Sequence, residues 1–319
     1  MTFYRNKRVL VAGGTGTIGI PLTRQLTEAG AYVTVASNHS KEHAARVLGR
    51  NVSFIHTDLS SQKKCREVVK EQEIVFNLIG IKGSVGIGQS KVASYLVSML
   101  RFQTNLMEAA HLENVSRFLF VSSICCYPQN DIHYEDNAWN GMPKQNDRIP
   151  GIAKRVGELQ VEAYQLETGW DAVRVVRPSN VFGPHDDFNP KTAQVIPALI
   201  SRICGGESPL RVWGDGSSKR DFIFSEDCAY WMLKALEMVP SNTPINLGSG
   251  EAFSIKHVVE LLCLLIGNNT KIEWDKTKPS GDKIRLLAMD RAREIIGFYP
   301  RTSLADGLKK TVDWYLTQK

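Results

Sequence analysis

The stretch VAGGTGTIGIPL, residues 11–22, follows a short β-branched run and opens a segment of helical period, with Gly13, Gly16 and Gly19 three residues apart. Glycines at this spacing let a turn tighten and let backbone approach a pyrophosphate, while the last lets the helix pack close to the sheet. The first amides of that helix would then face the phosphates. A glycine pattern alone is a weak signal. A strand before it and a helix after it are the confirming context, so this turn predicts dinucleotide binding, with Thr17 and Ile18 as further contacts.

The same alternation continues down the chain. Runs at 8–13, 32–37, 52–56, 73–80, 117–123 and 171–178 read as strands, and the intervals 17–29, 41–49, 61–70, 89–112 and 152–167 read as helices. Continuous apolar strands between helices mean βαβ units and a parallel sheet covered on both faces. The expected fold is α/β, a Rossmann-type doubly wound sheet over residues 1–178. Beyond 178, prolines, glycines and short elements predict a smaller substrate-binding lobe over 179–319, some of whose segments return to the first domain.

Composition excludes several classes. With 319 residues, 43% hydrophobic and 23% charged, the chain suits a globular protein with a sizeable core. No apolar run approaches the ~20 residues of a membrane helix, and the start MTFYRNKRVLVAG carries no secretory signal, which points to the cytoplasm. The net charge of +6 is not gathered into a basic tract, so neither nucleic acid nor membrane is an expected partner. The six cysteines show no metal spacing and read as reduced thiols; no metal site is expected.

The end of the second strand bears on cofactor choice. Folds that prefer NAD usually carry an acid there for the ribose hydroxyls. This chain has Ser37 and Asn38, then His39 and Lys41, which favours a 2′-phosphate and hence NADP(H), with NAD(H) as the alternative. Asp58, after the third strand, is placed either to meet adenine or to cap the next helix.

Together the glycine turn, FVSSICCYP, the Ala153–Lys154 pair, RPSNVFGPHDDF and VWGDGSSKRDFIF carry a resemblance. The chain resembles the extended short-chain dehydrogenase/reductases that act on nucleotide sugars (the NAD-dependent epimerase/dehydratase family), and within them the GDP-L-fucose synthase group of NADPH-dependent 3,5-epimerase/4-reductases. The resemblance covers nearly the whole chain. It implies a GDP-linked sugar substrate and a homodimer paired through the helices at 89–112 and 152–167. By position it implies that Ser123 hydrogen-bonds the sugar C4 oxygen, that Lys154 holds the nicotinamide ribose, and that Cys125 is the epimerisation cysteine. It further implies substrate contacts at Lys82, Asn180, Arg202, Trp213 and Arg220.

Two positions depart from that pattern. Four residues before Lys154 the family has its catalytic tyrosine, and here stands Pro150, which has no proton to give to an alkoxide. The family's epimerisation histidine, just before VIPAL, is Gln194, which cannot transfer a proton near neutral pH. Replacement donors could come from Tyr127, from His133, Tyr134 or Asp136 in one loop, from His185, or from Lys154 itself. The residues therefore leave three readings: a keto-sugar reductase or epimerase with an altered proton donor, a catalytically silent binder of NADP(H) and nucleotide sugar, or a C4 oxidase with tightly held cofactor.

Overall fold

A computed structural model of the chain describes residues 2–81, 92–190, 192–278 and 281–318. Its first half alternates strands and helices: β1 (Arg8–Ala12), α1 (Gly19–Glu28), β2 (Tyr32–Ser37), α2 (Lys41–Val47), β3 (Val52–His56), α3 (Gln62–Val69), β4 (Ile74–Asn77), α4 (Val92–Leu112) and β5 (Arg117–Val121). Then come β6 (Ile132–His133), α5 (Arg148–Thr168) and β7 (Val173–Pro178). Six of these strands and a later one, β12 (Ile245–Leu247), make a seven-stranded sheet in the order β12-β7-β5-β4-β1-β2-β3. Every pairing in it is parallel. The expected doubly wound α/β fold is therefore borne out, and the strand order reverses between β1 and β4, where such folds open a crevice at the carboxyl ends of their strands.

The strand period of two explains why these runs are apolar throughout. Val9, Val11, Val33, Val35, Ile74, Phe76, Leu119 and Val121 point into one core with Leu22 and Leu26 of α1. Their neighbours Leu10, Ala12, Val75, Phe118, Phe120, Val173 and Val175 point into the other, with Leu106 and Met107 of α4 and Val161 of α5. Both faces are covered, so both positions of the alternation must be apolar.

The second half builds β8 (Asn180–Phe182), α6 (Val195–Cys204), β9 (Leu210–Trp213), β10 (Lys219–Arg220), β11 (Phe222–Phe224), α7 (Ser225–Met238), β12, β13 (Phe253–Ser254), α8 (Ile255–Ile266), β14 (Ile272–Asp275), β15 (Ile284–Leu287), α9 (Asp290–Ile296) and α10 (Leu304–Leu316). A third core joins Phe182, Ile196, Ile200, Phe222, Val258, Leu262 and Leu308. A four-stranded sheet, β13-β10-β15-β6, takes β6 from the first half of the chain. No helix among the described residues is long and apolar enough to cross a membrane.

Candidate active site

A cleft of about 1510 Å³ opens at the carboxyl ends of β1, β4 and β5 and is closed on its far side by residues of the second half, among them Asn180, Gln194 and Trp213. One small-molecule site usually occupies ~300–1,000 Å³, so this cleft has room for two ligands.

The glycine turn forms its floor. Gly13 has φ +82, and a Cβ there would sit 3.1 Å from the Leu78 carbonyl. Gly19 lies against the turn itself rather than the sheet: a Cβ would fall 2.4 Å from the Gly13 oxygen and 2.5 Å from the Gly14 Cα. At Gly16 the nearest atom to such a Cβ is 3.6 Å away, so that position faces open space. The turn thus leaves backbone exposed where a phosphate needs it. Two further observations fit a dinucleotide here: Ser122 Oγ and His43 Nε2, both on the cleft wall, are buried with no hydrogen-bond partner.

At the end of β2 the Ser37 hydroxyl accepts from Thr15 Oγ1 (2.8 Å) and from the His39 amide (3.1 Å), which leaves Asn38 and His39 to face the cleft. Burial, and secondarily His43, lowers the His39 pKa, so this ring is neutral at physiological pH. Asp58 does not line the cleft. Its carboxylate accepts from the Ser60 amide and hydroxyl, both at 2.9 Å, in the turn before α3.

The reacting end is made by the loop after β5 and the start of α5. The Ser123 hydroxyl accepts from the Cys125 amide at 3.2 Å. Lys154 is buried; its Nζ donates to the Val121 carbonyl at 2.7 Å and lies 5.4 Å from the centre of the Phe120 ring. Burial brings its pKa down to about 8, against the opposing pull of Cys125 and Glu158. Burial raises the Cys125 pKa, helped by Asp147 and opposed by Arg285 and Ser123. Cys125 is therefore a thiol at neutral pH, not the thiolate a base would need.

Pro150 and Gln194 both line the cleft. Pro150 sits in the first turn of α5, where a missing N–H costs nothing because that turn has no partner for it. This is why the helix begins at Arg148 rather than near 152. Next to it Gly151 permits a tight approach: a Cβ there would lie 2.2 Å from the Cys125 oxygen. Gln194 is the N-cap residue of α6 and makes no capping hydrogen bond with its side chain.

Among the residues expected to meet substrate, Asn180 and Trp213 line the cleft, with Asn180 Nδ2 donating to the Asp221 carbonyl at 2.8 Å. Arg202 does not. Its guanidinium is held by Glu207, at 2.7 and 2.5 Å, and by the Arg211 carbonyl at 2.5 Å. Arg220 likewise stays out of the cleft wall and donates to the carbonyls of Asp282 and Lys219. Lys82 lies outside the described residues.

The alternative donors are spread widely. Tyr127 is buried, with its hydroxyl donating to Asn246 Oδ1 at 2.6 Å and accepting from Arg177 at 3.0 Å. His133 is buried in β6 and stacks on Tyr127. Tyr134 and Asp136 are exposed, the latter paired with Arg291 at 2.7 Å. Of this group His185 and Lys154 line the cleft, and the His185 carbonyl accepts there from Thr17 Oγ1 at 3.4 Å.

Three groups in the cleft escaped the reading of the sequence: Tyr95, Asp147 and Arg285. Arg285 Nη2 lies 2.8 Å from Asp147 Oδ2 and 3.2 Å from the Ile124 carbonyl it donates to. It arrives from β15, more than 150 residues away from Cys125 in sequence, and no local pattern pointed to it.

A parallel sheet with a glycine turn at its switch point, and Ser123 and Lys154 on the same cleft wall, defines a dinucleotide-binding α/β protein of the Rossmann class. Residues 9–248 match the NAD dependent epimerase/dehydratase family, and the chain belongs to it. GDP-L-fucose synthase 1 of Arabidopsis thaliana is 28% identical over 320 residues, covering 98% of this chain and 94% of that protein. The dTDP-4-dehydro-6-deoxy-D-allose reductase of Streptomyces bikiniensis is 28% identical over 320 residues, 98% of this chain and 97% of its own. Among solved structures, UDP-glucose 4-epimerase of Thermotoga maritima with UDP-glucose has a TM-score of 0.82 at 27% identity, covering 98% of this chain and 99% of that one.

Proposed function

We propose that the protein is an NADP(H)-dependent 4-keto reductase of a GDP-linked sugar that does not epimerise its substrate. The observation that carries this reading is the pairing of an intact Ser123–Lys154 site with a Cys125 held as a thiol and a glutamine at 194. A thiol at 125 and an amide at 194 supply neither base nor acid from the two positions where the family carries them for exchange at C3 and C5, whereas polarising a C4 carbonyl needs only Ser123 and a proton donor.

Gly13, Gly16, Thr17, Ile18 and Gly19 would hold the pyrophosphate, Ser37, Asn38 and His39 the adenosine end, and Lys154 the nicotinamide ribose. The bound dinucleotide supplies the hydride. Ser123 donates a hydrogen bond to the C4 oxygen and stabilises the charge that gathers there. The lack of a carboxylate among Ser37, Asn38 and His39 supports NADP(H). The GDP-sugar assignment is supported by the relative from Arabidopsis thaliana. A cytoplasmic homodimer fits the six free cysteines and the exposed Val97 on α4 and Leu159 and Leu166 on α5.

Pro150 and Gln194 in the cleft wall also favour the silent-binder reading, and one experiment separates the two. The purified protein is incubated with GDP-4-keto-6-deoxymannose and NADPH in deuterated water and followed by NMR. Reduction at C4 without deuterium at C3 or C5 is expected. Deuterium at either carbon would replace the reductase with an epimerase, and ligand binding without any change in the sugar would leave a binding protein.

A further inference from the structure

The proton that Pro150 cannot give has another source in the same cleft. Among the described residues lining it, Tyr95 is the single tyrosine, and it shares the wall with Ser123, Cys125, Asp147, Pro150 and Lys154. It stands in the first turn of α4, the helix packed alongside α5. Both helices run back against the parallel strands they serve, so both begin at the carboxyl ends of the sheet, where the cleft lies.

Helical spacing fixes the register of this residue. Tyr95, Met99 and Gln103 recur every fourth position and form one stripe on α4. Gln103 Nε2 donates to the Ala153 carbonyl at 2.5 Å, one residue before Lys154, and ties the stripe to α5. Met99 is buried and already reaches the cleft wall. Eight residues before the tether, at ~1.5 Å each, Tyr95 lies about 12 Å further along the helix, at its cleft end. There it shares the cleft wall with Cys125 and Asp147.

We propose that Tyr95 is the proton donor of the keto-sugar reduction, replacing from α4 the tyrosine that α5 lacks at position 150. The inference rests on the reductase reading above. In the step, the C4 carbonyl carbon gains a hydride from the reduced nicotinamide, and the carbonyl oxygen gains the Tyr95 hydroxyl proton. The products are an alcohol, an oxidised cofactor and a tyrosinate, which recovers its proton from solvent. Burial, with smaller contributions from Cys125 and Asp147, pushes the Tyr95 pKa up to about 12, so the phenol carries its proton throughout the neutral range. An alkoxide is the stronger base and takes it.

The test is Tyr95→Phe, which keeps the ring and removes only the hydroxyl. A loss of about 100-fold or more in kcat is expected, the usual scale for one general acid. The sugar KM and the NADPH affinity from fluorescence titration should stay within about twofold. A second readout needs no turnover: in protein labelled with ¹³C at tyrosine Cζ, the resonance missing from the variant should shift in the wild type when GDP-sugar is added. Partial recovery of kcat in the double variant Tyr95→Phe, Pro150→Tyr would support the same role. An unchanged kcat, an unmoved resonance, or a parallel loss of kcat and ligand affinity would each overturn the proposal and leave the reductase reading intact. A wild-type protein that binds both ligands and reduces no keto-sugar would overturn the reductase reading itself, and Tyr95's role with it.

Discussion

Arg177 grips Glu158 through two nearly parallel hydrogen bonds, Nε to Oε1 at 3.0 Å and Nη2 to Oε2 at 2.7 Å, with both side chains almost wholly out of water. The pair ties β7 to α5 one turn beyond Lys154, and Arg177 also donates to the Tyr127 hydroxyl and the Glu135 carbonyl. Removing one partner of such a buried pair leaves an uncompensated charge, at a cost of ~3–5 kcal/mol. Glu158→Gln should lower the stability measured by urea unfolding by an amount in that range. A loss under about 1 kcal/mol would mean that the pair does not anchor the helix carrying the site.

The glycine turn separates two kinds of damage. A methyl group at Gly19 would meet backbone at 2.4 and 2.5 Å, where nothing can swing aside, whereas one at Gly16 would meet nothing closer than 3.6 Å. Gly19→Ala should therefore lose stability and dinucleotide binding together. Gly16→Ala should keep its Tm to within a few degrees while its NADPH affinity falls at least ~10-fold, because the methyl occupies the space of the phosphate. Equal Tm losses in the two variants would remove Gly16 from the cofactor site.

Where local pattern decides the structure, the sequence was readable. The inner strands of the sheet showed as apolar runs because they are buried on both faces, and the glycine turn showed because its strand and helix flank it. What failed was whatever depends on the partner a side chain finds in the fold. Arg202 stands at a substrate position by resemblance, yet Glu207 and the Arg211 carbonyl hold its guanidinium away from the cleft. His133 lies in a stretch that reads as a mobile loop, but β15 pairs with it and makes it a buried strand residue. Tyr95 looks like one more helix aromatic until the tether from Gln103 to Ala153 sets α4 against α5. One helix start was missed for a local reason: the helix expected from 152 begins at Arg148, because the first turn is the one place where a helix accepts Pro150.

Lys154 sets opposite pH trends for binding and stability. Burial lowers its pKa to about 8 from the free value of 10.5. If the ammonium holds the ribose, NADPH affinity is full below pH 8 and weakens as pH rises through it. Between 8 and 10.5 the unfolded chain binds more protons at this position than the folded one, so its contribution to stability rises with pH over the same window. Lys154→Met should abolish both slopes, measured as the difference from wild type in fluorescence titrations and urea midpoints across pH 7 to 10.5. An affinity that stays flat with pH in the wild type would mean that Lys154 does not act on the cofactor as an ammonium.

His133 predicts the acid side. Its ring is buried against Tyr127, 4.9 Å between centres at 20°, and burial, reinforced by Arg285 and opposed by Asp282, lowers its pKa from 6.5 to about 4. The unfolded chain then holds the extra proton between those two values, so stability is lost as pH falls from 6.5 towards 4. At ~1.4 kcal/mol per pH unit the full contribution is about 3 kcal/mol. His133→Phe keeps a flat ring on Tyr127 and cannot titrate, so its urea midpoint should change less than that of the wild type between pH 7 and pH 4.5. If both proteins lose the same stability over that interval, carboxylates and not His133 govern the acid transition.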